Sequence, residues 1–224
     1  MDIVVAPDAQ AAAIEAASWV ARQLRNAVSR RGTATVAFSG GSTPALMLAE
    51  LALLQAPWSA TEVFQVDERV AADGDPDRNS TLLDILRRLP IPPTIHLMPV
   101  LDRDLDSASR QYEALLPERL DVVHLGLGDD GHTASWPPGD PVIDAGGSVA
   151  VSGEYKGRVR MTLTVHAVNS ARRRMVLATG SSKAGIIERW MLHDPDLPVN
   201  RVNRSGALVV LDSDAAARLP YQAR

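Results

Sequence analysis

Short apolar runs alternate with longer amphipathic stretches along this chain. The runs predict β-strands at residues 3–5, 35–38, 62–66, 95–97, 122–125, 149–152, 158–164, 175–179 and 207–211. The intervening stretches predict helices at residues 9–30, 44–54, 81–89, 106–116, 181–192 and 212–219. This alternation is typical of an α/β fold, with a mostly parallel, doubly wound sheet and helices on both faces.

Three local patterns refine this prediction. The strands at 149–152 and 158–164 are close together, which predicts a small antiparallel addition to the parallel sheet. Ser181 or Ser182 is the expected N-cap of the helix at 181–192. The first helix has large apolar residues spaced for one buried face, namely Ile14, Trp19, Leu24 and Val28.

The composition suits one globular domain spanning residues 1–224, because 46% of the 224 residues are hydrophobic. A net charge of −4 gives no general attraction to nucleic acid or to an anionic membrane. The chain has no cysteine, which excludes disulfides and thiolate chemistry. No signal-like or membrane-spanning run is present, so we expect a cytoplasmic protein that is a monomer or a small homo-oligomer.

A glycine-rich segment at 39–44 lies between a predicted strand and a predicted helix. Its glycines allow a tight turn, its hydroxyls add donors, and the following helix adds its positive end. We therefore predict a phosphate-binding loop, against the alternative of an ordinary strand–helix turn with a threonine cap. It is not a nucleotide P-loop, because no Gly-Lys-Ser/Thr follows. The expected binding residues are Ser39, Gly40, Gly41, Ser42 and Thr43.

A second glycine-rich segment, 126–135, follows the strand at 122–125 and carries Asp129, Asp130 and His132. Its glycines fit the dinucleotide fingerprint, but the two carboxylates would repel a pyrophosphate and Pro137 prevents a long helix from following. Histidine is well suited to proton transfer near neutral pH, so we predict that His132 is a general base with an orienting carboxylate. The alternative is a structural histidine.

Charged residues at other strand ends extend this candidate site. Asp67 and Arg69 follow the strand at 62–66, Lys183 lies at the start of a predicted helix, and Arg160 lies in a predicted strand. A lysine at a helix N-terminus opposes the helix dipole unless an anion binds there. For each residue the alternative is a solvated surface charge. A required metal is not expected, because His124 lies within a strand and the chain has no metal-ligand spacing.

Together these segments resemble the 6-phosphogluconolactonase family. The shared landmarks run in the family's order over most of the chain, and they are segments 39–44, 67–69, 126–135 and 160–164 with Asn79, Asn169, Gly180, Lys183 and Pro198. The resemblance implies a sugar-isomerase-like fold and hydrolysis of 6-phospho-D-glucono-1,5-lactone without a cofactor. It also implies that His132 is the general base, that Arg69 and Lys183 contact the substrate, and that Ser39 to Thr43 form the phosphate-side loop.

Two departures from the family pattern concern the site. Trp136-Pro137 replaces the usual Leu-Phe, which is expected to reshape the wall behind His132, and Arg78 replaces a serine, which adds a cation near Asn79. Two other functions stay open. A glucosamine-6-phosphate deaminase or isomerase would need a further carboxylate after His132, where Trp136 and Pro137 offer none. A non-catalytic sugar-phosphate sensor would bind without turnover.

Overall fold

The computed structural model describes residues 1–220, so residues 221–224 of the expected domain lie outside the described part. A parallel seven-stranded sheet has the strand order β1-β10-β9-β6-β2-β3-β5. The strand bounds are β1 Asp2–Ala6, β2 Ala34–Phe38, β3 Thr61–Gln65, β4 Asp67–Arg69, β5 Thr94–His96, β6 Val122–Leu125, β7 Val149–Tyr155, β8 Arg158–Leu163, β9 Arg173–Ala178 and β10 Ala207–Asp212. Strands β4, β8 and β7 form the antiparallel addition.

Helices cover both faces of the large sheet, which confirms the predicted fold class. One face is buried by the first three helices and the other by the last three, each over its own hydrophobic core. The helix bounds are α1 Ala9–Arg31, α2 Ser42–Leu53, α3 Asp84–Arg87, α4 Leu105–Glu113, α5 Val165–Ser170 and α6 Ala184–Met191.

Helix α1 has the predicted extent, and of its predicted apolar residues Leu24 is buried while Trp19 and Val28 pack, partly buried, against the core. Ile14 is 44% exposed, and most of the buried positions of the helix are alanines. Small side chains let the helix backbone approach the sheet and α2 closely, so alanines form most of the contact face, and of the predicted residues Ile14 lies outside it. Asp8 caps the helix by accepting a hydrogen bond from the Ala11 N–H at 2.8 Å, and Gly32 ends it in the left-handed conformation at φ +82°.

Three of the predicted helices differ from the observed ones. Residues 79–83 and 181–183 are single 3₁₀ turns that lead into α3 and α6, and neither Ser181 nor Ser182 makes a capping hydrogen bond. The predicted last helix at 212–219 is a series of turns. Asp212 belongs to β10, and its carboxylate accepts hydrogen bonds from the N–H groups of Gly180 and Ala215. Too few residues remain before Pro220 for a stable helix.

The strand order reverses between β2 and β6. From β2 the chain continues outward to β3 and β5, whereas from β6 it continues in the opposite direction to β9 and β10. Loops at the carboxyl ends of two such strands diverge and leave a crevice, which is where open α/β sheets bind ligands. One glycine-rich segment follows β2 and the other follows β6, so the fold places the two segments side by side.

Candidate active site

A cleft of about 550 Å³ lies at this reversal point. Every predicted site residue except Asp130 lines it, and Asp130 lies directly behind His132. The lining includes four basic side chains, three of which were predicted from the sequence, whereas the fourth, Lys156, was not. They are Arg69, Lys156, Arg160 and Lys183. The cleft therefore concentrates positive charge, which favours anionic ligands, even though the whole chain has a net charge of −4.

The loop after β2 forms one wall of the cleft and leads directly into the twelve-residue helix α2. A Cβ on Gly40 would lie 1.8 Å from Oδ1 of Asn79, so only glycine allows the two segments to meet there. Gly41 has φ +120° and turns the chain into the helix. The Ser39 hydroxyl is buried and has no hydrogen-bond partner within residues 1–220. Donors without partners beside a helix N-terminus favour an anionic ligand.

His132 is held by its neighbour two residues earlier. Its Nδ1 lies 2.5 Å from Oδ1 of Asp130, which commits that nitrogen to the carboxylate and leaves Nε2 as the nitrogen for proton transfer. A Cβ on Gly128 would lie 2.0 Å from Nδ1, so the imidazole packs directly on the glycine backbone. Gly128 therefore makes room for the histidine rather than for a phosphate.

The charge of Asp130 is stabilised by its hydrogen bonds. Burial would raise the pKa of this carboxyl, but hydrogen bonds from Tyr155 and His132 outweigh burial and lower the pKa well below its usual range. The Tyr155 hydroxyl donates to Oδ2 at 2.5 Å and lies 3.3 Å from Nδ1 of His132. Both carboxylate oxygens of Asp130 thus have a partner, and the residue remains ionised.

Asp129 faces a different partner from Asp130. Its Oδ1 accepts a hydrogen bond from Nζ of Lys183 at 2.5 Å and one from the Ser182 hydroxyl at 3.3 Å. The bond from Lys183 lowers the pKa of this exposed carboxyl. Lys183 lies in the 3₁₀ turn at the start of α6, as the sequence indicated, and in the ligand-free protein it is neutralised by Asp129. An incoming anion would compete with Asp129 for this lysine.

Asp67 and Arg69 belong to the short strand β4. Asp67 is buried, which raises the pKa of its carboxyl, although a hydrogen bond from the Ser135 hydroxyl at 2.7 Å opposes the effect. Arg69 donates to Oδ1 of Asn79 at 2.9 Å, and Asn79 in turn donates to the Asp67 carbonyl at 2.9 Å. These bonds join β4 to the 3₁₀ turn at 79–83, and Asn79 packs against Gly40 of the loop after β2 at the same corner of the cleft.

Arg69 and Arg160 are directly opposite each other across β4 and β8. Like charges in this register repel. Arg160 is only 5% exposed, and its Nε has no hydrogen-bond partner within residues 1–220. Burial lowers the pKa of its guanidinium, which shows that the positive charge is costly there. A bound dianion would relieve both the repulsion and the burial cost.

Two cleft residues were missed by the sequence interpretation. Tyr155 and Lys156 lie at the tip of the hairpin between β7 and β8, more than twenty residues from His132. The sequence signal that could have indicated these two residues was the predicted antiparallel pair of strands, because residues at the tip of a hairpin can reach over a neighbouring site. The chain has only two lysines, Lys156 and Lys183, and both line the cleft.

Both departures from the family pattern lie in the protein interior. The Trp136 side chain is fully buried and donates to the Leu163 carbonyl at 2.8 Å, so it belongs to the core beneath the site. Arg78 is 4% exposed, and its Nε lies 3.1 Å from Oε2 of Glu68. The expected extra cation is therefore neutralised away from the cleft.

The fold and the site together define the class of this protein: an α/β fold with a cleft lined by basic side chains at the point where the strand order reverses. The family model described as glucosamine-6-phosphate isomerases/6-phosphogluconolactonase matches residues 7–210. The chain belongs to this family. A 6-phosphogluconolactonase of Synechocystis is 32% identical over 89% of this chain and 90% of the relative, and one of Nostoc is 30% identical over 97% and 98%.

Solved structures agree in fold. A 6-phosphogluconolactonase from Shewanella baltica superposes with a TM-score of 0.86 over 95% of this chain and 97% of that chain, at 23% identity. A monomeric glucosamine-6-phosphate deaminase superposes with a TM-score of 0.80 at 18% identity, over 97% and 100% of the two chains. Because both enzymes share the fold, the fold alone does not distinguish their reactions. Within residues 1–220 no helix is long and apolar enough to cross a membrane.

Proposed function

We propose that this chain hydrolyses 6-phospho-D-glucono-1,5-lactone to 6-phospho-D-gluconate in the pentose phosphate pathway. The observation that carries the proposal is the His132–Asp130 pair, which borders a cleft lined by basic side chains. The relatives named 6-phosphogluconolactonase at 30% identity or more support the same reaction. The proposed reaction needs no cofactor, because a lactone carbonyl is already electrophilic.

The phosphate group of the substrate is assigned to the corner formed by the loop after β2 and the Arg69–Arg160 pair. This corner combines the N-terminus of α2, the free Ser39 hydroxyl and two guanidinium groups that repel each other without a ligand. Binding the phosphate here holds the lactone ring away from the anchor. The binding energy of the remote phosphate then positions C1 beside His132.

The proposed base is the neutral imidazole of His132, with Asp130 as its orienting carboxylate. As Nε2 takes a proton from water, the water oxygen bonds to C1 and the carbonyl becomes a tetrahedral oxyanion. Backbone N–H groups of the glycine-rich loops or the Lys183 ammonium would stabilise this charge. The intermediate then collapses, the bond from C1 to the ring oxygen breaks, and that oxygen takes the proton from Nε2.

Lactone hydrolysis by the wild type and by His132→Ala tests this proposal. The lactone is generated in situ, its loss is followed, and the spontaneous rate is subtracted. General-base catalysis is worth roughly 10²- to 10⁴-fold, so the variant should lose about that much in kcat while still binding 6-phosphogluconate. His166→Ala, at an exposed histidine away from the cleft, is the matched control and should keep the wild-type rate.

Other outcomes lead to the competing functions. No excess over the spontaneous rate would overturn the lactonase proposal. Release of ammonia from glucosamine 6-phosphate would then indicate a deaminase, and tight sugar-phosphate binding without turnover would indicate a sensor. We also propose a cytoplasmic location, because charged sugar phosphates do not cross a bilayer and are consumed where they are made.

A further inference from the structure

We propose that Tyr155 is a positioning residue for the hydrolysis proposed above, and that it acts through Asp130 on His132. The inference rests on the proposed function for its catalytic consequence, but its structural part can be tested without any substrate. Tyr155 is the last residue of β7, so the antiparallel hairpin supplies a group that the loop containing His132 lacks.

The contacts form a closed triangle. The Tyr155 hydroxyl donates to Oδ2 of Asp130 at 2.5 Å, and Oδ1 of the same carboxylate lies 2.5 Å from Nδ1 of His132. The tyrosine and histidine rings pack edge to face with their centroids 5.3 Å apart. Without the Tyr155 hydroxyl, the Asp130 carboxylate could rotate and exchange His132 for water. With the hydroxyl in place, each carboxylate oxygen has its own partner, and the imidazole has one orientation.

Tyr155 is suited to this position because it remains a donor. Its partial burial and its hydrogen bond to Asp130 raise the pKa of the phenol to about 12. The hydroxyl therefore stays protonated wherever the enzyme would work. Asp130 stays ionised in turn, so it favours the His132 tautomer with the proton on Nδ1 and an unprotonated Nε2.

The hairpin that carries Tyr155 has a defined turn. Lys156 and Gly157 have φ of +51° and +76°, as in the tight turns that match strand twist. A lysine in this conformation is strained, which is typical of functional positions. The guanidinium of Arg160 and the ammonium of Lys156 each lie 5.1 Å from the centroid of the Tyr155 ring. Two cations therefore pack against the tyrosine ring.

Tyr155→Phe removes only the hydroxyl and is the decisive variant. Loss of a hydrogen bond to a charged group should lower kcat roughly 10- to 100-fold, with KM changed less than about 2-fold. In an Asp130→Asn background the same change should have no further effect. Glu154→Gln, at an exposed neighbour in the hairpin, should leave the rate unchanged.

A second measurement separates failure of this inference from failure of the proposed function. ¹⁵N NMR of the ligand-free protein should show the Nδ1–H tautomer of His132 in the wild type and a tautomer mixture in Tyr155→Phe. An unchanged tautomer together with a wild-type kcat would overturn the role of Tyr155. A changed tautomer in a protein without lactonase activity would retain the contact but overturn the reaction.

A different observation supports a second, independent inference at the opposite end of the sheet. A groove of about 320 Å³ lies at the amino-terminal ends of β2, β6 and β9. Five arginines from three chain segments line it together with one carboxylate, namely Arg30, Arg31, Arg119, Arg172, Arg173 and Asp121. We infer that this groove binds a small molecule carrying a di- or triphosphate group.

The charges in the groove are not balanced by the protein. Asp121 forms ion pairs with Arg31 and with Arg172, whose Nε lies 3.3 Å from its Oδ1. Within residues 1–220 the other three arginines make no ion pair. Arg30 has a structural reason to be there, because the C-terminal end of α1 attracts cations. That reason does not extend to Arg119 and Arg173, which lie outside α1, although Nε of Arg119 donates to the Ser170 carbonyl at 2.9 Å.

The five arginines are exposed, so several guanidinium groups are available to one ligand. Arginine binds phosphate oxygens through two parallel hydrogen bonds, and several guanidinium groups can share one phosphate chain. Gln23 and Asn26 line the same groove and offer amide donors and acceptors to the rest of the ligand. A volume of about 320 Å³ lies within the range of small-molecule sites.

Calorimetric titration with inorganic tripolyphosphate and with ATP tests this inference, with the catalytic cleft saturated by 6-phosphogluconate. The wild type should bind one equivalent of either probe, and Arg119→Ala/Arg173→Ala should bind at least 10-fold more weakly. Arg103→Ala/Arg110→Ala removes the same charge from exposed positions elsewhere and should bind like the wild type. If the groove variant unfolds, the exposed Arg30→Ala replaces it. Equal binding by all variants, or no binding to the wild type, would overturn the site.

Discussion

Asp129 and Asp130 are adjacent in sequence but have different partners. Asp130 has both carboxylate oxygens engaged, one by His132 and one by Tyr155. Asp129 extends across the cleft to Lys183. The sequence placed both carboxylates beside the histidine and left open which one orients it. The path of the backbone decides which carboxylate orients the histidine. Gly128 and Gly131 turn the chain so that Asp130 faces the imidazole.

This difference predicts unequal effects of the same substitution. Asp130→Asn keeps the shape but removes the charge that fixes the Nδ1–H tautomer, so kcat should fall roughly 10²- to 10⁴-fold. Asp129→Asn only frees Lys183, so kcat should stay within about 3-fold, and KM should fall because an internal competitor for the lysine is lost. Steady-state lactone hydrolysis on both variants measures kcat and KM separately. Equal losses of kcat in the two variants would contradict the assignment of Asp130 as the orienting residue.

At the scale of elements, the three-residue strand β4 depends on the fully buried Glu68. Its carboxylate accepts hydrogen bonds from the backbone N–H groups of Asn79 and Ser80 at 2.7 and 2.8 Å. Arg78 forms an ion pair with the same carboxylate through its Nε. Glu68 therefore fixes the 3₁₀ turn against β4, and this contact holds Arg69 and Asn79 at the corner assigned to the phosphate.

Glu68→Gln should weaken both folding and substrate binding. The change leaves the buried guanidinium of Arg78 without a full counter-charge, which typically costs about 3–5 kcal/mol. Because the corner holding Arg69 loosens, KM should rise more than kcat falls. Urea denaturation and steady-state kinetics check the two effects.

Glu62→Gln is the matched control for this prediction. Glu62 is 46% exposed in its side chain and pairs with His96 at 2.7 Å, so its loss should cost less than about 1 kcal/mol and leave KM unchanged. A Glu68→Gln variant as stable as this control would contradict the structural role of Glu68.

The elements that the sequence predicted well are the buried parallel strands, because a continuous apolar run bounded by turns marks them directly. Strand β4 was missed because its residues, Asp67 to Arg69, are charged and pair only with a distant hairpin. The 3₁₀ turns before α3 and α6 were missed because their sequences also suit the first turn of an α-helix. Trp136 was expected near the pocket, yet its direction depends on the left-handed turn at Ala134, with φ +51°. Such details are decided by tertiary packing.

At the scale of the whole molecule, the strand order explains why distant segments form one cleft. Loops after β2, β6 and β9 meet at the reversal point, and the antiparallel sheet adds Arg69, Tyr155 and Arg160 from the side. Residues from separate parts of the chain therefore face each other only in the folded protein. The strand that precedes the His132 loop, β6, runs through the core and carries a fully buried histidine, His124.

His124 predicts how the stability of the whole molecule depends on pH. Burial lowers the pKa of its imidazole to about 3, from an ordinary value near 6.5. Between these values the unfolded chain binds a proton at His124 and the folded chain does not. The contribution of the unprotonated His124 to the free energy of unfolding is therefore complete above about pH 6.5, and it is lost as the pH falls towards 3. From pH 7.5 to 5.0 it should cost roughly 2 kcal/mol of unfolding free energy.

His124→Leu should remove this pH dependence. Neither ring nitrogen of His124 has a hydrogen-bond partner within residues 1–220, so an apolar side chain of similar size satisfies the site at least as well. Urea denaturation at pH 7.5 and 5.0 should show that the variant loses about 2 kcal/mol less than the wild type over this interval. His166→Leu, at an exposed histidine, should lose as much as the wild type. Parallel losses in all three proteins would show that His124 is protonated in the folded state, and that its ring has a partner or a route to water.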